Sequence, residues 1–280
     1  MTGDVTDGAT GDEDGPLLLD RRDGVLVVTL NRPDRLNAVT AEVSELMLDV
    51  LNGLMRDPEI QVVVLTGAGR GFCSGMDIQG DDAIAPGADV EGRAQRIYRG
   101  IAMGGEVTAR LREIPQPVIG ALHGAVAGMG AAWALACDLR VADPTTKFVL
   151  PFTNLGLSGG DCGLSWLLPR LVGAAKAADI LYRAKRLSAE EARELGLITE
   201  PAEAGGHLAA ALDLAGELLQ RSAYGLRRTK ELLNASLDAP GLRQQLVAET
   251  GIQTLAFFTE DLVEGMTATM EKRPPRFRNR

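Results

Sequence analysis

The chain has 280 residues, 45% hydrophobic and 24% charged, a balance that excludes a disordered polymer and allows one large core with a smaller appended unit. Its formal charge of −9 argues against a nucleic-acid binder, whose affinity needs clustered Lys and Arg. Three scattered cysteines, Cys73, Cys137 and Cys162, make neither a disulfide framework nor a zinc site and predict a reducing, cytoplasmic compartment with no bound metal.

Residues 1–15 are acidic and glycine-rich and lack the apolar segment of a secretory signal, so they read as a disordered tail. The β-type runs at 17–19 and 25–30 flank Asp20, Arg21, Arg22, Asp23 and Gly24, a hairpin signature, and Asn31, Arg32 and Pro33 break the strand. Thr40 then caps a helix in which Val43, Leu46, Met47, Val50, Leu51 and Leu54 recur at helical spacing, ending near Asp57 and Pro58. A buried strand at 62–66 leads into a loop rich in Gly and Asp over 67–89, and a helix follows to about Ile114, stopped by Pro115 and Pro117. A strand at 118–122, a helix at 128–136 and a strand at 139–142 complete three alternations, the pattern of an α/β fold with crossover connections.

Beyond Gly156 only helices are expected. Ser188 and Glu191 form a capping box over 189–195, closed by Gly196, and amphipathic segments continue from His207 to about Met270. The closing EKRPPRFRNR concentrates basic residues around two prolines; a solvated terminus is its plain reading, and the residues leave a further role open. The expected division is a tail at 1–15, a core at 16–200 and a helical region at 201–280 serving as an oligomerisation or lid unit.

One stretch invites a different reading. Residues 118–137 contain no Lys, Arg, Asp or Glu, are long enough to cross a bilayer, and place Gly120, Gly124 and Gly128 at the spacing of packed membrane helices. They are mostly Ala and Gly, however, include His123, and stand alone in a chain otherwise patterned for water, so no membrane role is expected.

Four motifs occur in order: GFCSGMDI (71–78), PVIGALHGAVAGMGAAWALACDLRVAD (117–143), GLSGGDCGLSWLLPRLVG (156–173) and RLSAEEARELGLI (186–198). NRPDRLNA (31–38) and TEDLVEGMTATMEKR (259–273) fit either end. Over residues 16–275 this series resembles the enoyl-CoA hydratase/isomerase, or crotonase, superfamily. The resemblance implies a spiral of ββα turns followed by a helical region that makes homotrimers or dimers of trimers. It also implies an acyl-CoA thioester substrate, of the kind handled in fatty acid metabolism, with no separate cofactor because coenzyme A arrives as part of the substrate. The shared chemistry is stabilisation of a thioester enolate.

That chemistry accounts for the glycines: prepositioned backbone N–H groups at a helix N-terminus stabilise a developing oxyanion, and small residues let the backbone approach the substrate. The resemblance places the two donors at Met76, after Gly75, and Met129, between Gly128 and Gly130. The alternative from the residues alone is that these glycines only permit tight helix–strand packing. By resemblance, coenzyme A meets the backbone at Ser74, the basic residues Arg32 and Arg35, and Lys272 from a neighbouring subunit. Asp77 and Ile78 flank the first donor, where Asp77 is expected to cap a following helix. Residues 83–99 form the expected pocket lid.

Hydratases of the family carry two glutamates, which fall here on Ala132 and at or beside Phe152. A general acid or base contributes about 100- to 10,000-fold, so a site with neither is a poor water-adding catalyst unless another group takes over. Asp161, eight residues before Pro169, matches the catalytic aspartate of the family's dienoyl-CoA isomerase branch; its plainer role is a helix cap. His123 reads as a structural histidine and Cys162 as a weak nucleophile candidate lacking a base, with Cys73 and Trp133 as packing residues. The sequence thus predicts an enoyl-CoA hydratase/isomerase-type enzyme with Met76, Met129 and Asp161 at its centre, a double-bond isomerase or a catalytically weak CoA-thioester binding protein being the alternatives.

Overall fold

A computed structural model describes residues 15–79 and 92–280. The tail expected over 1–15, residue 15 apart, and positions 83–91 of the expected lid lie outside them. The hairpin forms as expected from β1 (Leu17–Arg22) and β2 (Val25–Leu30), paired antiparallel from Leu17 opposite Leu30 to Arg22 opposite Val25. Helix α1 (Ala41–Leu54) begins where the Thr40 hydroxyl accepts the Val43 amide. β3 (Val62–Gly67), α2 (Arg93–Glu113) and β4 (Val118–Leu122) follow.

Residues 118–137 do not form one helix. They divide into β4, the short strand β5 (Ala125–Ala127) and α3 (Gly128–Ala136), all turned into the core. Among the described residues no helix is long and apolar enough to cross a membrane. The chain continues through β6 (Leu139–Ala142), β7 (Lys147–Val149), α4 (Leu164–Val172) and α5 (Ala174–Tyr182). The expectation of helices only beyond Gly156 fails at β8 (Arg186–Ser188) and β9 (Glu200–Pro201), which lie on either side of α6 (Ala189–Glu194). Strands of three and two residues are too short to show a period; each is defined by its neighbour, β8 by β7 and β9 by β6.

Six strands make a sheet in the order β1-β2-β3-β4-β6-β9, parallel from β2 onward, and β5-β7-β8 make a second, smaller sheet. The large sheet is covered on both faces, so its strands read as continuous apolar runs. In β3, Val63 and Leu65 face the main core with α1, α2 and α3, while Val62 and Val64 face α7 (His207–Leu219) through Ala211 and Ala215.

The carboxy-terminal arm comprises α8 (Ala223–Ser236), α9 (Leu242–Ala256) and α10 (Glu260–Glu271). Lys230 pins α8 to the core: it is buried, pairs with Asp138 at 2.8 Å and donates to the carbonyls of Leu111 and Gln116, both at 2.9 Å. The basic terminus stays largely exposed but is ordered. It hooks back onto α10, with Arg273 bidentate on Glu264 at 2.6 and 2.9 Å and buried Asp261 accepting the amides of Arg278 and Asn279 at 2.7 and 3.0 Å. Carboxylates that take main-chain donors order the segment where net charge alone predicts solvation.

Candidate active site

Two parallel bridges place the first motif between two strands. Cys73 pairs with Val126, its N–H donating to Ala125 at 2.9 Å and its carbonyl accepting Ala127 at 2.8 Å. Three residues on, Met76 pairs with Val39 on the opposite side: the Gly75 carbonyl accepts Val39 N–H and Asp77 N–H donates to the Val39 carbonyl, both at 2.8 Å. In a parallel bridge the residue whose neighbours make the bonds turns its own N–H away. The Met76 amide therefore faces the β5–α3 side. Beyond the Cys73–Val126 pair, Gly75 comes beside Gly128, the residue that opens α3 just before Met129.

The glycines make that approach possible. Gly75 has φ +98°, and a Cβ on it would stand 3.1 Å from the Ala127 carbonyl oxygen and 3.5 Å from Gly128 Cα. Gly128, at φ +50°, faces Gly75 Cα in turn. Met129 lies in the first turn of α3, where amides have no intrahelical acceptor and the helix dipole is positive; no side chain caps this end. Among the described residues no main-chain carbonyl accepts the Met76 or the Met129 amide. Gly130 fits the packing alternative instead, since a Cβ there would lie 2.5 Å from Cys73 Cβ.

The Asp161 loop packs over the same region. Gly104 of α2 leaves room that a Cβ would take from Met129 Cε, at 2.3 Å, and from Cys162 Sγ, at 3.3 Å, and the Trp133 indole donates to the Gly104 carbonyl at 3.0 Å. Asp161 is half-buried just before α4, and the helix takes no side-chain cap, so the capping role is not the one seen. Cys162, in the left-handed region at φ +45°, points its thiol at Asp161 Oδ1, 3.4 Å away. Burial and then the Asp161 charge raise that thiol far above its ordinary value, which removes it as a nucleophile. Burial likewise pushes Cys73 and Cys137 up to about 12. Ala132 and Phe152, at the glutamate positions, are both buried and apolar.

Asp77 requires a correction. No helix follows it among residues 78 and 79, and its carboxylate instead holds Arg32 at 3.0 Å and Arg35 at 3.2 Å and accepts the Gln79 amide at 3.0 Å. Burial alone raises this carboxyl, but the Gln79 amide and the two guanidinium groups outweigh it and hold it below the usual range. Ser74 spends its N–H on Leu36 at 2.9 Å, Ile78 is exposed, and Lys272 is an exposed αL residue ending α10. Within one chain no contact among the described residues joins Lys272 to the others. His123 is structural as read: Nε2 meets the Gly69 carbonyl at 3.1 Å and the ring stacks on His207 at 4.0 Å.

The sequence profile of the enoyl-CoA hydratase/isomerase family matches residues 20–280. The chain belongs to that family. A 1,2-epoxyphenylacetyl-CoA isomerase of Escherichia coli K12 is 38% identical over 256 residues, covering 91% of this chain and 95% of the relative. A short-chain-enoyl-CoA hydratase of Clostridium acetobutylicum is 31% identical, covering 92% and 95%. Among solved structures, an enoyl-CoA hydratase from Polaromonas sp. JS666 superimposes with a TM-score of 0.86 at 34% identity, covering 94% of this chain and all of that one. The protein is thus an enzyme of the hydratase/isomerase family with the crotonase-type α/β fold and a helical carboxy-terminal region.

For a hydratase/isomerase, two supporting residues went unread in the sequence. Asn37, 2% exposed, brackets the first motif by donating to the Ala68 and Gly71 carbonyls at 2.8 Å and accepting Arg32 N–H at 2.9 Å. It lies inside NRPDRLNA, and its φ of +55° suits asparagine, which after glycine tolerates that region best. Gly104 carried a visible signal too, a glycine inside a helix, which costs stability and so implies a packing need.

Proposed function

We propose that this enzyme binds an enoyl-CoA thioester, polarises its carbonyl between the Met76 and Met129 amides, and moves one proton through Asp161, shifting a double bond rather than adding water. The observation that carries the reading is the paired register that turns the Met76 amide away from Val39 toward the open N-terminus of α3. Asp161 as carboxylate takes a proton from carbon, the electron pair moves onto the thioester oxygen as an enolate, and the same proton returns at the other end of the allyl system, so atoms balance. Hydration needs a second group to hold and activate water, and Ala132 and Phe152 offer none. The isomerase name of the Escherichia coli relative supports the same direction.

In this reading Arg32, Arg35 and the Ser74 carbonyl hold the nucleotide, Gly75, Ile78, Gly128 and Gly130 shape the wall beside the acyl thioester, and Lys272 serves a neighbouring subunit's ligand. No resident cofactor takes part. Exposed Leu242, Val247, Leu255, Phe257, Phe258 and Met270 on and beside α9 and α10 support a homotrimer or a pair of trimers, and three buried free thiols suit a reducing cytoplasm. The test is mass spectrometry of products from a panel of 2-enoyl- and 3-enoyl-CoA thioesters in heavy-oxygen water. Isomer formation without label supports the proposal; label in the product assigns hydration or hydrolysis and overturns it. Tight binding with no conversion across the panel assigns a CoA-thioester binding protein.

A further inference from the structure

The Met76 peptide has a soft side and a stiff side. Gly75 precedes it, with no Cβ and φ +98°, so the chain before the amide resists rotation little. The plane of the Met76 N–H is set by the Gly75 carbonyl, which accepts Val39 N–H at 2.8 Å, and the bridge is closed on the other side, where Asp77 follows and its N–H donates to the Val39 carbonyl at 2.8 Å. There the carboxylate is 4% exposed and both oxygens are engaged: Oδ1 by Arg35 at 3.2 Å and by Gln79 N–H at 3.0 Å, Oδ2 by Arg32 at 3.0 Å. Arg32 also donates Nη1 to the Ala38 carbonyl. One guanidinium thus joins the strand carrying Met76 to the residue before Val39, across the very bridge that orients the amide.

We propose that Asp77 is a positioning residue for the Met76 amide, acting through Arg32 and Arg35, an inference that rests on the oxyanion role of Met76 argued above. Two guanidinium groups on one carboxylate also leave an excess positive charge beside the hole, and Arg35, 41% exposed, carries it to the surface. The clamp is sized to matter because a displacement of about 1 Å costs a reaction roughly 100-fold, and an amide freed to wobble loses part of that. Asp77→Asn keeps the shape and removes the charge. Its expected effect is a kcat at saturating thioester lower by about 10- to 100-fold, read apart from any change in KM or in the Kd for free coenzyme A, because Arg32 and Arg35 also hold the nucleotide in the proposed function.

A second readout reports the carbonyl directly. Infrared difference spectra of a bound thioester labelled with carbon-13 at the carbonyl should show a band shifted down in wild type and returned toward its free position in Asp77→Asn. Should Asp77→Asn not fold, Arg35→Gln at saturating ligand removes one half-exposed arm and should give a smaller return of the band. A wild-type shift that both variants retain, or kcat within twofold of wild type in folded Asp77→Asn, overturns the inference alone. Absence of any wild-type shift overturns the oxyanion reading and this inference with it.

Discussion

Gly75→Ala puts the backbone geometry of the site under direct load. At φ +98° an alanine is strained at a cost of about 1–3 kcal/mol, and its Cβ would press on the Ala127 oxygen at 3.1 Å, a backbone atom that cannot rotate aside. The chain relaxes by moving φ toward the left-handed minimum near +57°, a rotation of about 40° that swings the following peptide, the one carrying the Met76 N–H. A hydrogen bond that prefers more than about 150° and weakens steeply below about 120° then loses much of its strength. Removing one oxyanion donor outright costs about 100- to 1000-fold, so a swung but present donor should cost about 10- to 100-fold in kcat. The assay pairs turnover at saturating enoyl-CoA with urea unfolding. Gly53→Ala is the matched control: nothing lies within 4 Å of its Cβ on α1, and the change should stabilise by about 0.5–1 kcal/mol and leave kcat alone. Folded Gly75→Ala protein turning over within twofold of wild type would refute the reasoning, because the close approach of the two strands would then have no part in the chemistry.

Asp161→Asn should lower kcat by at least about 100-fold while calorimetry shows unchanged acyl-CoA affinity; equal loss of affinity would place the residue in binding instead. Lys230→Ala leaves the Asp138 carboxylate and two carbonyls without their buried cation and should destabilise by about 3–5 kcal/mol, read as a fall in the urea midpoint. Burial, then the neighbouring His123, lowers the His207 pKa below 6.5, against the opposing pull of Asp143. The unfolded chain therefore binds more protons just below pH 6.5, and stability should decline as pH falls from there toward the folded value, a slope that His207→Phe removes in melting curves. A separate loss should set in below 3.8, where Asp57, Asp77 and Asp143, all held low in the fold, protonate.

The parts legible in the sequence are those whose limits are set locally. The strands at 118–122 and 139–142 and the helix at 128–136 match β4, β6 and α3 residue for residue, because Pro117, Gly128 and the apolar runs between them act within a few residues. The small sheet was invisible for the opposite reason. β5, β7 and β8 have three residues each and exist only by pairing with one another, yet β5 is the strand against which Cys73 sets the register of the site. The Lys230–Asp138 pair and the Asp77 clamp join residues far apart in sequence, and no local pattern marks either end. The motif series supplied Met76 and Met129 by resemblance; it could not say that Gly130 serves packing while Gly75 and Gly128 serve approach.

A site made from peptide amides separates two requirements that side-chain catalysts combine. Charge stabilisation depends on strand register and on small residues, so donor positions accept any side chain that fits, and in the proposed site both are methionine. Proton transfer depends on which carboxylate reaches the acyl chain, and the proposed function places it in the loop before α4 instead of on α3 or in the segment after β7. Ala132 and Phe152 are buried in the apolar core, so a glutamate at either would bury a charge among apolar neighbours, a cost of several kcal/mol. The apolar packing around Ala132 and Phe152 thus agrees with the proposal that the proton is moved by Asp161 and not from either of those positions. A chain altered to Ala132→Glu should lose stability before it gains any ability to add water, and unfolding measured beside heavy-oxygen incorporation would show in which order the two change.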